Sequence, residues 1–361
     1  MKNQITLNLK EITMIMINLI SVKLFFTYPK RLILNSGNAA WIQIIYVSLI
    51  MLGIFYITVF AYKRCGNKSI LDLSDKIGGK PAKAFVGLLV IFVLFINVAS
   101  TMRSYPDMVK MVLLPDTPNE MILLVYALVI AAAVYLGIDS IARIHAIFVP
   151  IVLGIMLVFF VFLLPHAKIY NLYPLFGNGA GRIFGRGSVA IEFFDDILVL
   201  NILLPYIKNV SDAKKAGGRA IVICSFAAFL VMLMYGLIYP YPSSEKFIIP
   251  IYQLTRLLGI GDFFQRFEAF FEFVWSFAVF LYSSLYIAVI CIVLRESFGL
   301  KYEKPLAVPV IAIITILSAD IQNTQEMAEK HWYIIAITCI TAFVLPCLMA
   351  IIYKIKMRNE V

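Results

Sequence analysis

The sequence predicts an all-α integral membrane protein with about ten transmembrane helices. Three observations carry that expectation. Of the 361 residues, 62% are hydrophobic and only 14% are charged, where a soluble domain is roughly half apolar and a quarter charged. The mean hydropathy is +0.91, and apolar runs of about 20 residues, the length that spans a bilayer as a helix, recur from end to end. The net charge of +10 comes from basic residues spread among short loops. That pattern fits membrane topology and does not point to nucleic acid as a partner, which would gather the charge on one face.

Ten spans can be drawn, at 10–28, 40–62, 84–112, 120–138, 144–164, 187–206, 218–239, 267–295, 304–320 and 331–354. They read as one polytopic domain over 1–361, with one half over about 8–165 and a second over about 186–355. The first run lacks a small-residue cleavage site and continues to a Pro29-Lys30-Arg31 stop, so it reads as a retained helix rather than a signal peptide. Lys63, Arg64, Lys68, Lys76, Lys80 and Lys83 cluster after the second span, and Lys208, Lys214, Lys215 and Arg219 after the sixth; Lys354, Lys356 and Arg358 lie in the tail. With ten spans these all fall on the side of the N-terminus. The loops at Asp116–Glu120 and 319–326 fall opposite and are acidic or neutral, so both termini are expected in the cytoplasm. On the outer side, 165–186 contains Gly177-Asn-Gly-Ala-Gly-Arg182, which follows no strand and lacks Gly-Lys-Ser/Thr, and so reads as a flexible connection rather than a phosphate loop.

Spans one and six are the two interrupted by polar residues in mid-membrane, and each opens a half of five spans. An odd number of crossings per half inverts the second half relative to the first. That is the 5+5 inverted-repeat design, in which broken helices meet at the midplane and expose backbone ends.

Span one breaks near Ser21-Val22-Lys23. A lysine at that depth costs roughly 2.5–3.5 kcal/mol on insertion scales and marks a functional site by default. Span six carries Glu192, Asp195 and Asp196 on one broad face, three carboxylates that need a cation, a proton or water. Lys23 supplies one cation. The cluster reads either as a substrate-amine or proton site, or as a static pair pinning two broken helices. In span three, Asn97 and Thr101 share a face and are candidate pocket groups, whereas Arg103 and Lys110 lie toward the outer end and snorkel. In span eight, Tyr282, Ser283 and Ser284 are candidates, and Glu272 is deeper than an interface explains. Cys65, Cys224, Cys291, Cys339 and Cys347 have no metal spacing and read as small packing residues. His145, His166 and His331 are isolated and read as interfacial or solvated. No nucleophile–base or metal constellation is visible, so neither an enzyme nor a cofactor is expected.

Several stretches together resemble a known family. They are Thr27-Tyr-Pro-Lys30, Met108 to Pro118, Val134-Tyr-Leu-Gly-Ile-Asp-Ser-Ile-Ala-Arg143, Leu203-Leu-Pro205 and Arg266-Phe-Glu-Ala-Phe-Phe-Glu-Phe-Val-Trp275. The chain resembles, over nearly its whole length, the B subunits of spore germinant receptors, which are endospore germination permeases of the amino acid–polyamine–organocation superfamily. The resemblance implies a LeuT-like fold in the spore inner membrane, with a receptor A subunit and a C lipoprotein as partners besides the lipid bilayer. It implies binding of a small germinant, usually an amino acid, that triggers germination. The family's span one has a Gly-x-Gly-like break, and here the matching stretch is Val22-Lys23-Leu24. Glycine frees backbone for a ligand, and lysine fills that space with an ammonium. The expected pocket is formed by Ser21, Lys23, Asn97, Thr101, Asp195, Asp196, Tyr282 and Ser283. Lys23 would bind a substrate carboxylate or replace a coupling cation. Two other readings stay open, an autonomous proton-coupled amino-acid transporter and a non-binding structural subunit of the receptor.

Overall fold

The structure, a computed structural model, describes residues 6–63, 65–258, 267–320 and 332–359. Arg64, Arg266, His331 and residues 321–326 of the acidic loop lie outside them. Among the described residues, seven helices are long and apolar enough to cross a membrane. The rest of the transmembrane framework is built from helices that break or are short.

The first crossing is broken. Helix α1 (Leu9–Ser21) starts at an Asn8–Glu11 capping box, in which each side chain accepts from the other's backbone N–H. A 3-10 turn over Val22–Phe25 follows, and α2 (Tyr28–Ser36) resumes the path. Pro29-Lys30-Arg31 is therefore no stop. Pro29 sits in the first turn of α2, where a missing N–H is harmless because it has no helical partner anyway. Lys30 is nearly buried and donates to the Glu245 backbone carbonyl. The first crossing thus extends beyond the predicted 10–28 by a whole half-helix.

Next come α3 (Ala40–Tyr62) and α4 (Ile70–Val112), the latter opened by a Ser69–Asp72 capping box and kinked at Gly78–Gly79. Gly79 has φ +68°, which a side chain disfavours. Helices α5 (Asn119–Leu136) and α6 (Ile138–Leu163) finish the first half. The loop that follows is packed rather than free: Asn178 donates to the Leu34 and Asn35 carbonyls at the end of α2. A Cβ on Gly177 would meet the Ser36 carbonyl oxygen at 1.9 Å, so only glycine fits that contact. A short helix α7 (Ala180–Phe184) leads into the second half.

The sixth crossing is broken in the same manner as the first. A 3-10 stretch over Arg186–Phe194 ends at Asp195-Asp196, and α8 (Ile197–Leu203) carries on. Then follow α9 (Val210–Ile238), α10 (Pro250–Thr255), α11 (Phe267–Phe298), α12 (Ala307–Asp320) and a last crossing made of α13 (Trp332–Cys339), a π turn and α14 (Leu345–Asn359). Against α3, α9 packs closely enough that a Cβ on Gly217 would strike the Phe55 ring at 2.4 Å.

The broken helices occupy the interior. Ile12, Ile15, Met16, Ile17, Leu19 and Ile20 of α1 are at most 1% exposed, as are Phe193, Phe194 and Val199 around the second break. Lipid-facing helices such as α5 and α6 instead expose Leu124, Leu128, Ile147 and Leu157. This division follows from solvent: unpaired backbone survives at membrane depth only inside protein.

On the face that carries the N-terminus the two broken crossings are tied together. The Leu7 N–H donates to the Tyr206 carbonyl at 2.8 Å, and the Asn67 side chain donates to the Ile207 and Lys208 carbonyls. Arg295, at the end of α11, binds Glu303 and Glu296 and donates to the Tyr206 hydroxyl at 2.9 Å.

Candidate functional site

The two breaks face each other, and the charged residues fill the gap. Lys23 leaves the 3-10 turn of the first crossing with its ammonium against Asp195, 2.7 Å from Asp196 Oδ2 and 3.1 Å from the Glu192 carbonyl oxygen. An ammonium has three N–H donors, and three protein acceptors surround this one. Asp196 is fully buried and accepts from the Tyr286 hydroxyl. Asp195 accepts from the Asn97 amide at 3.3 Å. The carboxylates stand where the 3-10 stretch ends and α8 begins, and the first α8 N–H groups pair with backbone there, Leu198 N–H donating to the Asp195 carbonyl and Val199 N–H to the Asp196 carbonyl, both at 3.0 Å.

A second pair lies farther out. Arg31 of α2 meets Glu192 Oε1 at 2.5 Å, with the guanidinium 5.8 Å from the Tyr28 ring centre. The Arg31 side chain is 34% exposed against 5% for Asp195 and 0% for Asp196. Sequence reading placed Glu192 with the aspartates and missed its partner, because Arg31 had been assigned to a helix stop. The signal was Pro29, which can open a helix as readily as end one.

Between these pairs is a cavity of about 180 Å³. Lys23, Asn97, Thr101, Asp195 and Tyr282 line it, as expected from sequence, together with Arg31, Glu192, Ser100, Ser104, Phe26 and the α13 residues Ile334, Ile335 and Thr338. Asp196 lies behind its wall, held by Lys23 and Tyr286. Ser21 and Ser283 are not among the lining residues. The Ser21 hydroxyl is 3.5 Å from the Asn18 carbonyl, and Ser283 is buried against the Tyr126 hydroxyl at 2.9 Å. Tyr286 is a further residue the sequence reading missed: it stacks on Tyr282 at 4.4 Å, one helical turn away.

Two other buried polar groups lie nearby. His145, expected at an interface, is instead fully buried on α6, between the Ile141 carbonyl at 2.8 Å and the Asn18 amide of α1 at 3.2 Å. The amide also donates to the Ala278 carbonyl of α11, so the Asn18–His145 contact requires the unprotonated Nε2 as acceptor and leaves Nδ1–H to donate to Ile141. Glu272 is buried on α11 with one carboxyl oxygen unpartnered, and Trp275, three residues on, packs against Phe25, Phe26 and Tyr105. Arg103 pairs with Asp107 at 3.0 Å. All five cysteines are free, and Cys65 is buried despite its basic surroundings. Among the described residues, no group of three His, Cys, Asp or Glu side chains has a geometry that would hold a metal.

Comparison with known proteins identifies the family and the fold. A family model described as "Spore germination protein" matches residues 6–327. The chain is 24% identical over 340 residues to spore germination protein A2 of Bacillus subtilis, covering 92% of this chain and 91% of that one. It is 24% identical over 298 residues to spore germination protein KB of the same organism, covering 79% and 78%. Among solved structures, MhsT in complex with L-phenylalanine is similar with a TM-score of 0.69 at 14% identity, covering 98% of this chain and 89% of the other. The nucleobase-cation-symport-1 transporter Mhp1, in a closed conformation with bromovinylhydantoin bound, gives 0.68 at 12% identity, covering 99% and 80%. The fold is therefore all-α and LeuT-like, with broken first and sixth crossings.

Proposed function

This chain belongs to the spore germination protein family, and on that premise we propose that it is the membrane subunit of a germinant receptor. In this reading a small germinant enters the cavity between the two broken crossings and triggers germination. The observation that carries it is the position of that cavity: about 180 Å³, lined by charged side chains from the two breaks and α2 and by hydroxyl-bearing side chains from α4, α11 and α13. Polar groups that converge on a hollow with an apolar wall, here Phe26, Ile96, Ile334 and Ile335, suit a small-molecule site.

Binding alone signals nothing unless the ligand favours one of two states of the protein. Here the two halves of each broken crossing provide the moving parts. The face with the termini is fastened by the Leu7–Tyr206 and Arg295 contacts. The cavity lies on the other side of the breaks, between α2, the outer part of α4 and α13. A ligand that draws α2 and α13 together would pull on the fastened ends through Lys23, and partner subunits would read that strain. The partners are a receptor A subunit and a C lipoprotein, the membrane is the spore inner membrane, and both termini face the cytoplasm. The distribution of basic loops supports that orientation.

Spores carrying Lys23→Gly, exposed to a panel of amino acids, sugars and salts, test the proposal. A changed or lost germinant response with the subunit still present in the membrane supports it, and an unchanged response refutes a role for this cavity. A second reading is favoured by one observation. Because Lys23 hydrogen-bonds Asp195 and the Glu192 carbonyl and pairs in charge with Asp196, the cluster also suits a non-binding subunit whose ancestral site has become structure. Saturable ligand binding that changes with Lys23 or Glu192 would exclude it. Uptake into proteoliposomes by this chain alone would instead make it a transporter in its own right.

A further inference from the structure

A second hollow lies on the face that carries the N-terminus, between α3 and α9. It is open, holds about 400 Å³, and is lined by Tyr56 of α3 and by Lys214, Lys215, Gly218, Arg219 and Val222 of α9. Helix α9 starts three residues after Ile207, which bridges to Leu7. It has 29 residues, more than the roughly 20 that cross the hydrocarbon core, so its first turns stand at headgroup level.

Glycine shapes the hollow. A Cβ on Gly217 would strike the Phe55 ring, and one on Gly218 would come within 3.1 Å of the Tyr56 hydroxyl. With no side chain at either position the Tyr56 ring reaches α9, and the Lys214 ammonium stands 5.6 Å from its centre, where the ring face attracts a cation. Lys215, Arg219, Val222 and Phe226 recur at helical spacing and share one face of α9. All four are exposed, and the stripe passes from cationic to apolar along the helix. On α3 the same order holds toward the same face of the protein: exposed Ile57 and Phe60 come before exposed Lys63.

Membrane orientation needs basic residues somewhere in this loop; it does not need them gathered on a glycine-lined hollow. Among the described residues, Lys214, Lys215 and Arg219 form no ion pair, and neither does Asp212 in the first turn of the same helix. Three cations therefore line one hollow without a carboxylate of the chain to balance them.

We propose that this hollow binds the headgroup of an anionic phospholipid, a phosphodiester with no ammonium of its own. Basic pockets between membrane helices at headgroup level suit such groups. The phosphate lies among Lys214, Lys215 and Arg219, whose guanidinium matches two phosphate oxygens at once, and an acyl chain runs outward over Val222 and Phe226. A zwitterionic headgroup brings an ammonium toward the same three cations and is repelled. A free phosphate ester meets the cations and leaves the apolar stripe uncovered. The site is separate from the cavity between the breaks and does not depend on what that cavity binds.

The test is native mass spectrometry of the full chain in detergent, titrated with dioleoylphosphatidylglycerol, dioleoylphosphatidylcholine and sn-glycerol 1-phosphate. Saturable phosphatidylglycerol binding is expected, at least about tenfold tighter than phosphatidylcholine or glycerol phosphate. Changing Lys214, Lys215 and Arg219 together to Gln should weaken it at least about tenfold, since each cation at an anionic lipid surface contributes about fivefold. Arg219→Lys, which keeps the charge, should retain most of the binding. Changing Lys80, Lys354 and Arg358 to Gln removes the same charge from exposed positions elsewhere and should leave binding unchanged. Equal loss in both triple variants would reduce the effect to net charge and overturn the site, as would equal binding of phosphatidylcholine. Glycerol phosphate binding as tightly as the lipid would make the hollow a soluble-anion site. A poly-glutamate peptide binding more tightly would make it a dock for an acidic protein segment. Either result overturns the lipid assignment.

Discussion

Two ion-pair clusters join the same pair of broken crossings at different depths, and they are not equivalent. The inner one, Lys23 with Asp195 and Asp196, is enclosed: the aspartate side chains are 5% and 0% exposed. The outer one, Arg31 with Glu192, opens onto the cavity with Arg31 34% exposed. A buried pair is costly to desolvate, and removing one member strands the other without water. The outer pair is only part-open, with Arg31 34% and Glu192 12% exposed, so water screens it in part and removing Arg31 costs less than removing Lys23. The inner cluster therefore holds the breaks together, and the outer one is free to respond to what enters the cavity.

Four substitutions probe that contrast. Lys23→Ala leaves two buried carboxylates facing each other, and should cost about 3–5 kcal/mol, read as a lowered midpoint of unfolding in detergent. Adding Asp195→Asn should recover a good part of that loss; a double variant no better than the single would disprove the pairing. Tyr286→Phe removes a hydrogen bond to a charged group and should cost about 1.5–3 kcal/mol, without emptying the cavity of any lining residue. Arg31→Ala should destabilise less than Lys23→Ala, because Glu192 keeps some access to the cavity, yet alter the concentration of germinant that half-saturates the response. If Arg31→Ala destabilised as much as Lys23→Ala, the distinction between a structural inner cluster and a responsive outer one would fail. A further variant sharpens it: Lys23→Met with both aspartates changed to Asn removes the charges together, and should leave stability near that of the parent. Loss of germination in that stable variant would assign the inner charges to signalling as well.

Asn18 and His145 show how much of the site lay outside any local pattern. Both are polar residues in apolar runs, and from spacing alone the histidine looked interfacial. Its ring is in fact the point where α1, α6 and α11 meet through the Asn18 amide. Nothing within either run records that the other exists. Tyr286 was hidden for the same reason: it lies one turn from Tyr282 in an unremarkable helix, and only the arrival of Asp196 gives its hydroxyl a role. Ser283 illustrates the converse, a hydroxyl in the right helix on a face turned to Tyr126.

The sequence by itself determined the membrane class, the number of crossings and the two places where helices break. Those follow from local physics: about 20 apolar residues span a bilayer, and a charge in mid-run marks an interruption that has to be buried in protein. It also marked Asp195 and Asp196 as candidate partners of Lys23, since an uncompensated charge at that depth demands one, but left a ligand contact equally open. Tertiary structure alone decided the rest. It showed that Pro29-Lys30-Arg31 opens the second half of a crossing, that Arg31 takes Glu192, and that Lys23 hydrogen-bonds Asp195 and the Glu192 carbonyl while pairing in charge with Asp196. Each depends on residues roughly a hundred and seventy positions or fewer apart meeting in one low-dielectric gap, where a carboxylate's role is set by the cation that reaches it first.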